Sequence, residues 1–310
     1  MCLLAIAIHA SARWPLVIAS NRDEFYERPT LALSRWTSAT GQTIISGRDA
    51  RAGGTWLGMT PDGRIALLTN VREPSPATPP AQKSRGELVM RWLESSMNAA
   101  QFMAQTDSQA HAGFNLIVGD ARTNHWTWLS NRLFDTKAPG VAAQRPQRAG
   151  WCYKALAPGI YGLSNAALDT PWPKTLALSV ALATALENDD PDRPVSAMTT
   201  PLWAALADRR RASPNNLPDT GLPLAQEQAL SSAFVDSPER AYGTRCSTLI
   251  VASAVEGGPG ERLWQMQVEE RTPALHIQDG GNATSAPHNN AVSSVSEVFQ
   301  WRRPRVPQQA

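Results

Sequence analysis

The chain turns apolar at its second residue. Leu3 to His9 is an unbroken apolar run, Ser11 to Trp14 supplies a turn, and Leu16 to Ala19 resumes the run. Two such runs around a turn predict a β-hairpin that begins at the second residue. Everything later in the sequence must be built onto that hairpin.

More strand follows at Thr43 to Ser46, Gly54 to Met59 and Arg64 to Thr69, with Pro61-Asp62-Gly63 as a turn. Glu73 to Lys83 carries four prolines and reads as a loop. Ser84 and Glu87 stand at capping-box spacing before Leu88, Val89, Trp92 and Leu93, which predicts a helix over 84–104. Gly113 to Gly119, His125 to Leu129 and Tyr161 to Ser164 return to strand. Helices are expected over 171–187, 200–208 and 224–234, and a last hairpin over 248–254 and 262–268 turns at Gly257 to Gly260. Strands, helix, strands, helices, strands is the order of two sheets in contact with helices outside them. From Asp279 to Ser296 the chain is Gly, Asn, Ser, Ala and Thr, which predicts a disordered tail.

Charge excludes some functions. With 29 Lys+Arg against 27 Asp+Glu the net charge is +2, so no basic face announces nucleic acid, although Arg209, Arg210 and Arg211 cluster. The apolar stretch Leu176 to Leu186 is shorter than the ~20 residues of a membrane span, so no membrane insertion is expected. The start MCLLAIAIH lacks a basic region before its apolar run, and the expected location is cytoplasmic. Cys2, Cys152 and Cys246 are too far apart for a CxxC pair. His9, His111, His125, His276 and His288 share no ligand spacing, so no metal is expected. The 11 tryptophans outnumber the 6 Phe and 4 Tyr and read either as core filling or as a platform for a flat apolar ligand.

Two groups of residues carry chemistry. Cys2 follows the initiator Met, and a side chain that small permits Met removal. Removal would leave a thiol and a free α-amine on one residue, with the amine placed to take the thiol proton. Ser20-Asn21-Arg22-Asp23-Glu24-Phe25 sits where the partner strand should end, opposite Cys2. A guanidinium there would depress the thiol pKa and a carboxylate would hold the α-ammonium.

SNRDEFYERP after an MCLLAIA start resembles the NRDE family, also called the transport and Golgi organisation protein 2 family. GGTWLGM (53–59), LLTNVRE (67–73), YGLSNAALDTPWPK (161–174), GTRCSTLI (243–250) and VEERT (268–272) extend the resemblance over residues 1–272. That family is similar to cysteine N-terminal-nucleophile hydrolases, which implies an α+β fold, an αββα sandwich of two antiparallel sheets flanked by helices. The expected organisation is one αββα domain over 1–275 and a disordered tail over 276–310.

By the same resemblance Cys2 matches the nucleophile, and Arg22 with Asp23 or Glu24 matches the assisting pair. Asn70 or Asn165 matches the oxyanion amide, and Arg245 matches a late arginine. The order Asn21-Arg22-Asp23-Glu24 departs from the acylase pattern, in which Arg precedes Asn and the carboxylate follows two residues later. Neighbouring strand residues face opposite ways, so two options stay open: Arg22 faces the thiol, or it holds structure. The implied activity is cysteine amidohydrolysis of a small non-peptide amide or acyl substrate, with no cofactor required. The alternative is a non-catalytic haem-trafficking or acyl-lipid-binding protein, with haem as cargo. CxxCH is absent, which excludes covalent haem. An interaction module using the 74–80 loop or the tail is the third reading. Oligomeric state is not legible.

Overall fold

A strand that is apolar at every position needs cover on both faces. In a computed structural model, which describes residues 2–73, 83–133, 150–256, 262–273, 275–277, 283–285 and 293–302, β1 (Cys2–Ile8) has that cover. It pairs antiparallel with β2 (Leu16–Phe25). Leu4, Ile6 and Ile8 enter one core, while Leu3, Ala5 and Ala7 enter another. β2 runs six residues past its expected end at Ala19, so the polar segment is strand and not turn. Pairing with a later strand from Leu16 to Phe25 gives that segment's backbone its hydrogen-bond partners.

β3 (Thr30–Thr37), β4 (Thr43–Asp49), β5 (Leu57–Met59) and β6 (Arg64–Asn70) come next, then α1 (Gly86–Leu93) and α2 (Ala99–Gln105). β7 (Phe114–Asp120), β8 (His125–Ser130) and β9 (Cys152–Ala155) complete an antiparallel seven-stranded sheet in simple chain order. After β10 (Gly159–Leu163) come α3 (Pro173–Glu187), α4 (Val195–Leu206) and α5 (Leu224–Ala229). β11 (Asp236–Ser237), β12 (Tyr242–Glu256), β13 (Arg262–Thr272), β14 (Leu275–Ile277), β15 (Ala283–Ser285) and β16 (Ser293–Arg302) follow. The second seven-stranded sheet has the order β10-β1-β2-β12-β13-β16, with β11 on β12. It places the chain's first strand one in from the β10 edge, paired on both sides.

Between the sheets lie Ile6, Ile18, Met59, Ile65, Trp128 and Met266. Outside this second sheet, α3 and α4 press Leu178, Leu182, Leu202 and Leu206 onto Leu3, Ala5 and Val17. Outside the other, α1 and α2 press Val89, Trp92 and Phe102 onto Leu68, Leu116 and Val118. Helix, sheet, sheet, helix is the αββα sandwich. Nine of the 11 tryptophans are buried, so the indoles mainly fill these cores.

The helix expected over 84–104 is two helices. Asn98 breaks it with an extended backbone and caps α2 reciprocally: Gln101 N–H donates to Asn98 Oδ1 and Asn98 N–H to Gln101 Oε1, both at 2.9 Å. The expected box at Ser84 and Glu87 is not made, because Glu87 turns its carboxylate to His111 Nε2 at 3.1 Å. Asn98→Ala should therefore cost about 1 kcal/mol, read from chemical denaturation. Ser84→Ala should cost a fraction of that.

β3 and β9 were not legible as strands, and the segment expected to be a disordered tail contains β16, paired along β13 from Ser293 to Arg302. Its Val295, Val298, Phe299 and Trp301 are β-formers that lie at or beyond the end of the Gly/Asn/Ser stretch. The 74–80 loop, the 257–260 turn and most of the rest of 276–310 lie outside the described residues.

Candidate active site

Directly opposed residues of an antiparallel pair share a face. Cys2 is opposite Arg22 on β2, and Arg22 is opposite Cys246 on β12. The three side chains form one row facing the other sheet. Arg22 therefore lies on the same face as the thiol. At this end of the sandwich the apolar filling stops and a cavity of about 260 Å³ opens, with Cys2, Arg22, Glu24, Trp56, Asn70 and Arg85 on its wall. Cys2 is 8% exposed.

Arg22 is held from several sides. Its Nη1 donates to Thr30 Oγ1 at 3.1 Å, its Nη2 lies 3.6 Å from Asp49 and 3.8 Å from Glu24, and its guanidinium lies 4.3 Å over the Trp56 ring. Arg28 adds a 2.6 Å bond to the same Asp49 oxygen. Burial pushes the Asp49 carboxyl up, but Arg28 and Arg22 outweigh it and bring it below the ordinary range. Glu24 accepts from the Phe25 N–H at 2.9 Å.

Other sequence candidates lie elsewhere. Asn21 points away from the thiol, toward the helices, where its amide donates to Leu206 O at 2.8 Å and Ala233 O at 2.9 Å and accepts from Ser247 Oγ at 2.6 Å. It fastens the sheet to the helical layer. Arg245 sits in a bulge of β12 between Thr244 and Cys246 and donates to the carbonyls of Phe25, Tyr26 and Arg28 at 2.8 to 3.0 Å. The bulge turns it to bracing the turn after β2 rather than to the cavity. Asn165 gives its amide to Asn70 O at 2.9 Å. Asn70 itself lines the cavity, and among the described residues its side-chain amide has no hydrogen-bond partner. Of the two asparagines, Asn70 is the one with a donor to spare.

Asp23 also lines the cavity and is 1% exposed. It accepts from Thr244 Oγ1 at 2.7 Å, while Tyr242 Oη donates to its carbonyl at 3.0 Å. Burial pushes the Asp23 carboxyl up and Lys174 opposes the shift. Burial likewise pushes the Cys2 thiol up, with Asp23 adding to the rise and Arg22 countering it. A buried thiol in that state stays protonated until a base takes its proton.

Sequence reading passed over Trp56, Asp49 and Arg85. Their signal lay in two glycines: a Cβ on Gly54 would meet the Gly86 carbonyl carbon at 2.7 Å, so these positions let backbone touch backbone. That contact brings the loop carrying Trp56 against the start of α1, beside Arg85. Among the described residues no group of three or more His, Cys, Asp and Glu could hold a metal ion. No described helix is long and apolar enough to cross a membrane.

The model of the Transport and Golgi organisation 2 family matches residues 1–258. The mouse Transport and Golgi organization 2 homolog is 32% identical over 245 residues, covering 77% of this chain and 82% of its own. The cattle homolog is 34% identical over 253 residues, with the same two coverages, 77% and 82%. Among solved structures, a Caenorhabditis elegans N-acylethanolamine-hydrolyzing acid amidase ortholog overlays with a TM-score of 0.47 at 10% identity, covering 81% of this chain and 92% of that one. A conjugated bile acid hydrolase from Clostridium perfringens overlays with a TM-score of 0.41 at 9% identity, covering 97% of each. These two overlays are too weak to carry an argument about chemistry. The family match spans β1 through β12 and every residue of the cavity wall, and the chain belongs to the Transport and Golgi organisation 2 family.

Proposed function

We propose that this chain, after Met1 removal, is a cysteine amidohydrolase that cleaves a small non-peptide amide. The observation that carries the reading is the row Cys2–Arg22 at the open end of β1, facing a cavity that also presents the Asn70 amide. The α-amine of processed Cys2 takes the thiol proton, and Asp23 holds that amine in place. The sulfur bonds to the substrate carbonyl carbon, and Asn70 donates to the developing oxyanion. The C–N bond then breaks, the amine product leaves with the proton, and a thioester remains. Water adds to the thioester while the α-amine takes a proton from it. The C–S bond breaks, the carboxylic acid leaves and the thiol is restored.

A cavity of about 260 Å³ suits a small acyl group. Its wall carries Arg22, Arg28, Lys83 and Arg85 against Asp23, Glu24 and Asp49, which fits a polar substrate better than the apolar macrocycle of haem. Cys2, Cys152 and Cys246 are free thiols, which suits a reducing compartment such as the cytoplasm.

The test begins with intact mass under native and then denaturing conditions. Loss of Met1 without an adduct, followed by turnover in a panel of small amides, is the expected result. Retained Met1, or a native mass raised by one haem, overturns the reading in favour of carriage. Asn70→Ala should lower kcat about 10²–10³-fold, the cost of one oxyanion donor, with KM nearly unchanged. Equal losses in kcat for Asn70→Ala and Asn70→Asp, with no change in fold, fit the role; full activity in Asn70→Ala rejects it.

A further inference from the structure

Most cations on the wall of the Cys2 cavity already have a carboxylate. Arg22 lies 3.6 Å from Asp49 and 3.8 Å from Glu24, and Arg28 lies 2.6 Å from Asp49 and 3.8 Å from Glu24. Lys83 pairs with Glu87 at 3.7 Å. Arg85 lines the same cavity and, among the described residues, makes no ion pair. Its Nη1 donates to Gly113 O at 3.1 Å, while its Nε and Nη2 make no hydrogen bond among the described residues and are not sealed from solvent.

The helix gives no reason for an arginine here. Arg85 is the N-cap of α1 and its side chain makes no cap bond, at a helix end where short polar acceptors are preferred and a cation is disfavoured. Its backbone is fixed all the same. A Cβ on Gly86, the next residue, would meet Thr55 O at 3.2 Å and Thr55 N at 3.3 Å. Thr55 leads directly into Trp56, whose ring carries the Arg22 guanidinium at 4.3 Å. Arg85 is therefore held against the row of Cys2 and Arg22 with one edge of its guanidinium unused.

We propose that Arg85 is a specificity-determining residue that binds a carboxylate of the substrate, so that the amide cleaved by Cys2 belongs to a small acid. The proposal rests on the hydrolase reading. Nε and Nη2 lie on one edge of the planar guanidinium and match the two oxygens of a carboxylate. A phosphate dianion would ask for a second unmatched cation, and Arg22, Arg28 and Lys83 are already answered. A cavity of about 260 Å³ holds both the thiol and the guanidinium, so few bonds separate the carboxylate from the amide.

Three amides of one skeleton test this at neutral pH. N-butanoylglycine has a carboxylate on the amine side, N-ethylsuccinamic acid has one on the acyl side, and N-ethylbutanamide has a methyl group in place of either. Affinities are read by ligand-observed NMR on full-length Cys2→Ala protein, with Arg85 intact and with Arg85→Gln or Arg85→Lys. One of the two acids should bind about 10–100-fold more tightly than the neutral amide, the worth of a charge-assisted pair. Arg85→Gln should bring that preference within about threefold, and Arg85→Lys, which keeps the charge without the fork, should keep part of it. A residue that only braces Gly113 would move all three affinities together. Should Arg85→Gln not fold, the intact side chain still decides: acids bound no more tightly than the neutral amide overturn the proposal, as does a preference that survives Arg85→Gln. Turnover by the parent chain is scored separately. Hydrolysis with no acid preference overturns the proposal and leaves the hydrolase reading intact, whereas an acid preference with no turnover of any bound amide, or with Met1 retained, overturns both.

Discussion

Cys2→Ala is expected to reduce amide turnover to background, a loss on the order of 10⁵–10⁶-fold in kcat, with the melting temperature almost unchanged. The sulfur is the nucleophile in the proposed reaction, and the other hydroxyls on the cavity wall are committed. Thr55 Oγ1 donates to Leu57 O at 3.0 Å, and Ser84 Oγ accepts from the Gly86 N–H at 3.3 Å. Neither is followed by a free amine, so neither can take over. The truncation removes one sulfur atom at the end of a strand and leaves the pairing of β1 with β2 and β10 intact. Cys246→Ala is the matched control. Cys246 lies across Arg22 from Cys2, is 2% exposed, and is absent from the cavity wall. Burial holds its thiol well above the ordinary range, and its loss should leave turnover within about threefold. The assay is amine release from any amide the parent chain hydrolyses; full activity in Cys2→Ala sinks the mechanism.

How much of this was legible beforehand depended on how local the signal was. The β1–β2 hairpin could be read because its apolar runs and turn lie within twenty residues, and the αββα order followed from the resemblance. Arg22 and Asn21 could not be assigned to faces without the register, because a one-residue shift exchanges them. The register depends on β1 and β12 flanking β2, with β12 some two hundred residues away. Arg245 was misleading for a related reason: a bulge at that residue has no signature in GTRCSTLI, yet it turns the side chain from the cavity to the Phe25–Arg28 carbonyls. Asn70 and Asn165 are equivalent in sequence and differ in structure only by which amide is already spent on backbone. Glu227 lies in none of the quoted motifs, and burial alone makes it conspicuous.

The largest effect on stability should come from the buried pair of Arg72 with Glu227. Arg72 and Glu227 form an ion pair with side chains 3% and 2% exposed. Thr220 Oγ1 donates to the same carboxylate. Among the described residues the Nε and Nη2 of Arg72 make no hydrogen bond, so Glu227 carries most of the compensation for a buried guanidinium. Glu227→Ala would strand that charge, and breaking a buried pair from one side costs about 3–5 kcal/mol. The exposed pair of Arg132 with Glu73, at 24% and 37%, makes the contrast: Glu73→Ala should cost under about 1 kcal/mol. Arg72→Met combined with Glu227→Leu should recover most of the lost stability, because the penalty belongs to the orphaned charge and not to the absent bridge. Urea denaturation of the four proteins decides it. A Glu227→Ala chain as stable as the parent, or a double variant no better than the single, would show that the charge is met by something other than Glu227.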